Sequence, residues 1–227
     1  EKLHETRPTA INLKWALDME ADRMVNLRLE SSEVLTERNV ILEERRTRTE
    51  SSAAAILDEQ MNAALYLSHP YGIPVIGWEH EMAKLSPENA ITFYKRFYAP
   101  NNAILVIAGD VEPGDIRPMV ERTFGEVPAQ PAISAQRTRP QEPVPAAPRT
   151  VTLSDPRVEQ TSVRRYYLVP SANTAAAGES PALDVLAQLM GSGANSYLYR
   201  ALVIDRQLAV SAGAGYQGTS LDPSQFS

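Results

Sequence analysis

Apolar side chains recur every three to four positions in several stretches of the chain, with polar side chains between them. This spacing predicts amphipathic helices, because side chains three and four positions apart share one helix face. Residues typical of a helix start occur at Ser31 or Ser32, and again at Ser86, which is followed by Pro87. The predicted helices cover 11–29, 31–50, 53–67, 87–97, 116–124, 181–190 and 196–204.

Other segments break this pattern. The seven residues 103–109 are continuously apolar, which predicts a strand in the middle of a sheet, buried on both faces. Shorter strands are predicted at 151–153 and 162–169. Between 126 and 149 the periodicity disappears, and six prolines would interrupt any helix or central strand, so we predict an extended, semi-rigid linker there.

Composition narrows the class of protein. A net charge of −6 and a pI near 5.2 argue against a nucleic-acid partner, because phosphate binding depends on clustered Lys and Arg. With 43% hydrophobic and 22% charged residues and no long apolar run, the sequence resembles that of a soluble globular protein. The absence of cysteine excludes disulfides and thiolate chemistry. The first residues lack a targeting pattern and an initiator Met, so we expect a trimmed sequence.

Two acidic residues are the most informative candidates for chemistry. Glu37 and Glu44 are seven residues apart, which places them on one helix face about 10.5 Å apart along the axis. One carboxylate could bind a cation, and the other could orient a neighbouring ligand. Without further context, a solvated acidic face is the more common explanation of such a pair.

The surrounding motifs supply that context. Several segments resemble, in order and spacing, the first half of pitrilysin/insulinase-type (inverzincin) zinc metallopeptidases. A later segment, with a Gly-Ser-Gly turn between two helices, looks like the opening of the following homologous domain in this family. These segments are residues 13–24, 37–44, 97–103, 109–111 and, for the second domain, 183–199.

The resemblance implies a zinc site. In this family Zn2+ is bound by two His of an HxxEH helix and by a Glu on a later helix, and the Glu within HxxEH activates a metal-bound water. The resemblance assigns the later ligand to Glu44 and a supporting acid to Glu37. Glu43 would face away, since successive helical residues are rotated by about 100°.

The histidines depart from the family pattern. The sequence contains only His4, His69 and His80, and none of them begins an HxxEH. We therefore expect the chain to start downstream of that motif, and these 227 residues to have no peptidase activity by themselves. We interpret His69 and His80 as loop or surface residues rather than ligands, and expect His4 in a strand beside the cleft.

A second departure concerns the other half of the site. Family members that act alone carry an Arg and, seven residues later, a Tyr that hold the substrate backbone. Val203 and Val210 occupy these positions, and neither can donate a hydrogen bond. The chain thus resembles the zinc-bearing member of a two-chain enzyme. We expect a paralogous partner that supplies Arg and Tyr, with a homo-oligomer as the alternative assembly.

The resemblance also implies the architecture. We expect an α+β fold with an antiparallel sheet covered on one side by helices, in two homologous domains of which the second is truncated. The predicted limits are 1–125, a linker at 126–149, and 150–227. The substrate would be an unfolded peptide that adds as a strand to a sheet edge. A non-catalytic scaffold or partner subunit is the alternative function. The compartment is open between the bacterial periplasm and the cytoplasm.

Overall fold

Helices account for most of the regular structure. The computed structural model describes residues 8–133 and 138–227, with side chains from Asn12 onward. The α-helices are α1 (Pro8–Asn26), α2 (Ser31–Arg45), α3 (Ala53–Leu65), α4 (Glu79–Met82), α5 (Pro87–Phe97), α6 (Pro113–Glu121), α7 (Glu179–Gly191) and α8 (Tyr197–Tyr199). Arg46–Glu50 and Arg200–Asp205 are π-helical and directly extend α2 and α8. The strands are β1 (Tyr167–Val169) and β2 (Ser224–Phe226).

The described residues divide into two compact units. The first unit contains the chain up to Glu44 together with Trp78–Thr138, and the second contains Arg45–Gly77 and Arg139–Ser227. The division reflects contacts within each unit, whereas the predicted limits 1–125 and 150–227 describe homology. Those limits therefore stay a prediction.

In the first unit, α5 secures the end of α1. The hydroxyl of Tyr94, a buried residue of α5, donates to the carbonyl of Arg23 at 2.8 Å and accepts from the amide of Leu27 at 3.3 Å. The start of α5 has a capping box, in which Ser86 and Asn89 each accept from the other's backbone amide. The predicted helix start at Ser86 is thus confirmed, because all its determinants lie within four residues.

In the second unit, the strands β1 and β2 pair antiparallel, with Leu168 opposite Gln225. Ser224 of β2 and Ser171, two residues after β1, are almost completely buried. The hydroxyl of Tyr216 donates to the carbonyl of Pro170 at 2.6 Å, which fastens the segment after β1. Helices and an antiparallel pair occur together, and the predicted α+β class is confirmed.

The predicted central strand at 103–109 is wrong. These residues are not part of a strand, and Ile104 and Val106 are 92% and 80% exposed. Apolar composition favours a strand, but a strand also needs a neighbouring backbone to pair with. Among the described residues, no strand pairs with residues 103–109. For the same reason 151–153 is not a strand, and the strand predicted at 162–169 is limited to Tyr167–Val169.

Candidate functional site

The two acids identified in the sequence lie on one uninterrupted helix. Glu37 and Glu44 both belong to α2, whose first turn is supported by the Glu33 carboxylate accepting from the backbone amide of Glu30 at 3.2 Å. Seven residues amount to almost two full turns, so both side chains leave the same face, about 10.5 Å apart along the axis. The helical geometry required for the candidate site is therefore present.

Burial differs among the three glutamates of this segment. Glu37 and Glu43 are exposed, whereas Glu44 is half-buried. Glu43 and Glu44 are adjacent, so the helix turns them to different directions by about 100°. Glu44 is thus the less exposed of the two adjacent acids, and the roles of Glu37 and Glu44 stay predictions.

The described residues do not complete a zinc centre by themselves. A catalytic zinc takes three protein ligands and keeps one position open. Within residues 8–133 and 138–227, no group of three or more His, Cys, Asp or Glu side chains is close enough to hold a metal ion. His80 is exposed on α4, and His4 lies outside the described residues. The half-buried carboxylate of Glu44 has the chemistry of one ligand, not of a whole centre.

A buried ion pair lies directly after Glu44 in the sequence. In the second unit, the Nη1 and Nη2 atoms of Arg45 bind the two carboxylate oxygens of Glu59 at 2.8 and 3.0 Å. Nη1 also donates to the carbonyl of Gly77 at 2.8 Å, and Nε lies 3.5 Å from the carboxylate of Glu50. Sequence reasoning missed this cluster, because Glu59 and Gly77 are 14 and 32 positions away from Arg45 along the chain.

His69 is a turn residue, as predicted, but it is not on the surface. It precedes the 3-10 turn Pro70–Gly72 and is only 5% exposed. Its Nδ1 accepts from the amide of Tyr71 at 3.2 Å, so Nδ1 carries no proton and Nε2 does. Nε2 lies 3.3 Å from Oδ2 of the buried Asp222, an electrostatic contact without good hydrogen-bond alignment, and Arg139 binds the same oxygen at 2.6 Å.

Two tyrosines enclose this histidine. The ring of Tyr71 packs edge-on at 4.3 Å from His69 and 5.7 Å from Tyr66, measured between ring centroids. Burial raises the pKa of Tyr66 to about 12, with further contributions from Tyr71 and the carboxylate of Glu142. Tyr66 therefore stays protonated at neutral pH, and its hydroxyl points to the carbonyl of Pro223 at 3.5 Å.

The two valines that depart from the family pattern lie in the second unit. Val203 is half-buried in the π-helical turn Arg200–Asp205, and Val210 is 70% exposed. A valine side chain has no hydrogen-bond donor, whether it is exposed or half-buried. Neither Val203 nor Val210 can therefore donate a hydrogen bond to the backbone of a peptide.

Comparisons with known proteins show which family the chain resembles. The sequence profile described as "Peptidase M16 inactive domain" matches residues 84–227, more than half of the chain. The zinc protease PqqE of Helicobacter pylori is 29% identical over 201 residues, which cover 88% of this chain and 45% of that protein. An uncharacterized zinc protease of Mycobacterium leprae is 30% identical over 200 residues, covering 88% of this chain and 44% of the relative.

Solved structures show the same fold. The crystal structure of a protease from Helicobacter pylori superposes with a TM-score of 0.74 at 27% identity, covering 95% of this chain and 51% of that one. A peptidase M16 inactive domain from Pseudomonas fluorescens gives a TM-score of 0.63 at 15% identity, covering 93% and 49% of the two chains. At that identity, the second likeness shows the fold alone.

The fold and the matching family profile thus place the chain in a family of zinc metallopeptidases. The chain belongs to the peptidase M16 family, the pitrilysin type, and includes its inactive domain. It spans about half the length of the curated relatives it matches. In the parts of the chain that the structure describes, no helix combines the length and the apolar composition needed to cross a membrane.

Proposed function

We propose that the full-length protein is a zinc-dependent endopeptidase subunit that cleaves unfolded peptides. The observation that carries this proposal is the pair of carboxylates on one face of α2, with Glu44 half-buried, in a chain whose relatives are named zinc proteases. Glu44 would bind the metal through its carboxylate, and Glu37 would orient a neighbouring ligand. When bound, zinc polarises a peptide carbonyl and lowers the pKa of its water ligand.

The rest of the active site is proposed to come from elsewhere. The general-base Glu and the two His ligands would lie outside the 227 residues, which by themselves would be inactive. A paralogous subunit would supply the Arg and Tyr that Val203 and Val210 replace. The peptide would bind through its extended backbone along a sheet edge, a mode that depends little on side-chain sequence.

A non-catalytic role is the second candidate. Two observations favour it: the matching family profile is described as the inactive domain, and Val203 and Val210 remove two hydrogen-bond donors. In that case the chain would serve as a scaffold or as the partner of an active subunit. The two candidates differ in one measurable property, since only the first requires zinc at Glu44.

The deciding experiment measures zinc in the purified full-length protein. We expect the wild type and Glu43→Gln to retain zinc and Glu44→Gln to lose most of it, because Glu43 and Glu44 are the same residue type but are turned to different directions. Glu37→Gln should weaken zinc binding by about 10- to 100-fold, as the loss of a supporting hydrogen-bond partner does. A wild-type protein without zinc affinity would support the scaffold role instead.

A second arm of the experiment tests the division of labour. Peptide cleavage is assayed for the full-length protein alone and after mixing with a paralogous chain that carries the Arg and Tyr. We expect cleavage only in the mixture. Equal rates with and without the partner would contradict the two-chain proposal while leaving the zinc proposal intact.

The domain limits and the compartment belong to the same proposal. We propose homologous domains at 1–125 and 150–227 joined by residues 126–149, and a location in either the periplasm or the cytoplasm of a bacterium. Among the structural neighbours, PqqL from Escherichia coli is described as a periplasmic protease, but at 18% identity it is evidence for the fold alone. Fractionation of cells that express the full-length protein would decide the compartment.

A further inference from the structure

Residues 139–149, the second half of the proline-rich segment, are held by charged contacts inside the second unit. We call them the strap. Both carboxylate oxygens of Glu142 accept from consecutive backbone amides, those of Leu67 at 2.7 Å, Ser68 at 2.9 Å and His69 at 2.8 Å. Three amides that point to one carboxylate form a small anion-binding concavity, and the strap provides the anion.

The last residue of the strap binds the end of α3. The Nη1 atom of Arg149 donates to the carbonyls of Ala64 and, at 3.3 Å, Leu65. These are two of the carbonyls that a helix leaves without an intrahelical partner at its C-terminus. A cation at this end of a helix is also favoured by the helix dipole. Glu142 thus attaches the strap to residues 67–69, and Arg149 attaches it to the C-terminal end of α3, which directly precedes them.

The first residue of the strap reaches the far end of the chain. Arg139 binds Asp222, which in turn lies against His69. The neighbouring amide of Leu221 donates to the hydroxyl of Tyr71 at 3.2 Å. His69 and Tyr71 belong to the turn whose amides Glu142 holds, so the strap, the turn and residues 221–223 share one set of contacts.

Gln130, before the strap in the proline-rich segment, is held by hydrogen bonds within the first unit. Gln130 and Asn101 exchange two hydrogen bonds of 3.0 Å each, and the Gln130 side chain also donates to the carbonyls of Lys95 and Tyr98. Gln130 and Glu142 thus attach parts of the proline-rich segment to the first and second units respectively, whereas a flexible linker would make no such contacts.

We propose that the strap is a conformational device: by holding the turn at 67–71 through Glu142, it fixes residues 221–223 of the domain that follows. Proline-rich composition stiffens the strap, so a contact at Glu142 is transmitted to Arg139 and Arg149 rather than absorbed by bending. Releasing Glu142 would loosen both the turn and the contact between Tyr71 and Leu221. The inference does not depend on zinc or on peptidase activity.

Hydrogen exchange of backbone amides in the full-length protein tests this inference. Glu142→Gln keeps the side-chain shape but loses the charge and presents an NH2 group to amide donors. We expect exchange at Leu67, Ser68 and His69 to accelerate about tenfold or more, the change that corresponds to losing a hydrogen bond to a charged group. We expect the amide of Leu221 to accelerate with them.

Controls separate coupling from a local effect. Glu159→Gln, at an exposed acid of the same unit, should leave all four amides unchanged. Arg149→Gln should reproduce the acceleration more weakly, and it keeps the test decisive if Glu142→Gln does not fold. Faster exchange at 67–69 with an unchanged Leu221 would overturn the coupling, and unprotected amides at 67–69 in the wild type would overturn the strap itself.

Discussion

Replacing Arg45 with methionine removes one half of a buried ion pair and leaves the other half without a counter-charge. The side chains of Arg45 and Glu59 are only 7% and 10% exposed, and two nearly parallel hydrogen bonds join them. Methionine fills much of the volume but cannot bind Glu59 or the carbonyl of Gly77. The variant therefore confines a carboxylate away from water.

The expected loss can be estimated from similar cases. Breaking a buried pair by removing one partner costs about 3–5 kcal/mol in the free energy of unfolding. With a urea dependence of about 2 kcal/mol per molar, the unfolding midpoint of the second unit should fall by about 1.5–2.5 M. The assay is a urea titration followed by circular dichroism, with exchange of the α3 amides as a probe local to this unit.

Helix α3, which carries Glu59, offers a matched control. Asp58, adjacent to Glu59, forms an exposed ion pair with Arg164 at 2.5 Å, with side chains 41% and 45% exposed. Because solvent screens exposed charges, Asp58→Asn should change stability by no more than about 1 kcal/mol. If Arg45→Met shifted the midpoint no more than Asp58→Asn does, the buried pair would not stabilise the unit and the reasoning would be refuted.

Three further predictions concern single residues. Ser86→Ala should destabilise the protein by about 1 kcal/mol in chemical denaturation, because it removes the side-chain oxygen that caps α5, while Ser86→Thr should retain most of the stability. Gly191→Ala should lower the melting temperature and cost at least about 1–3 kcal/mol, because an added Cβ would lie 1.7 Å from the backbone nitrogen of Ala214; an unchanged melting temperature would show that the two backbones separate freely. Burial raises the pKa of Glu142, but the three backbone amides and Arg149 outweigh burial and hold this pKa below its ordinary value of 4.5. The contacts of ionised Glu142 therefore stabilise the folded protein above pH 4.5. This stabilisation is lost as the pH falls through the lower pKa of the folded state. Urea titrations from pH 6 to pH 3 should show this loss for the wild type and a smaller one for Glu142→Gln.

Sequence reasoning was most accurate where the determinants are local. Ser86, Pro87 and Asn89 contain the whole instruction for the start of α5, and the structure has the helix there. The spacing of Glu37 and Glu44 likewise needs only helical geometry, and α2 includes both residues. Motif order along the chain then identified the family, which the comparisons confirm.

The failures share a physical cause, since each depends on a partner distant in sequence. The segment 103–109 has strand composition, but whether it forms a strand depends on a neighbouring backbone that no local pattern encodes. His69 lies in a turn, as expected among Pro and Gly, but its burial against Asp222, 153 positions away, was not predicted. Glu142 lies in a segment without periodicity, and its amide partners are 73 to 75 positions away.

The central proposal is that the carboxylate of Glu44 binds the catalytic metal, and a crystal structure of the full-length protein grown with Zn2+ tests it most directly. The account predicts anomalous density for zinc with a carboxylate oxygen of Glu44 about 2.0–2.2 Å from the ion. Glu43, one position earlier, should make no bond to it. Zinc bound by other side chains, with the Glu44 carboxylate beyond bonding distance, would contradict the assignment.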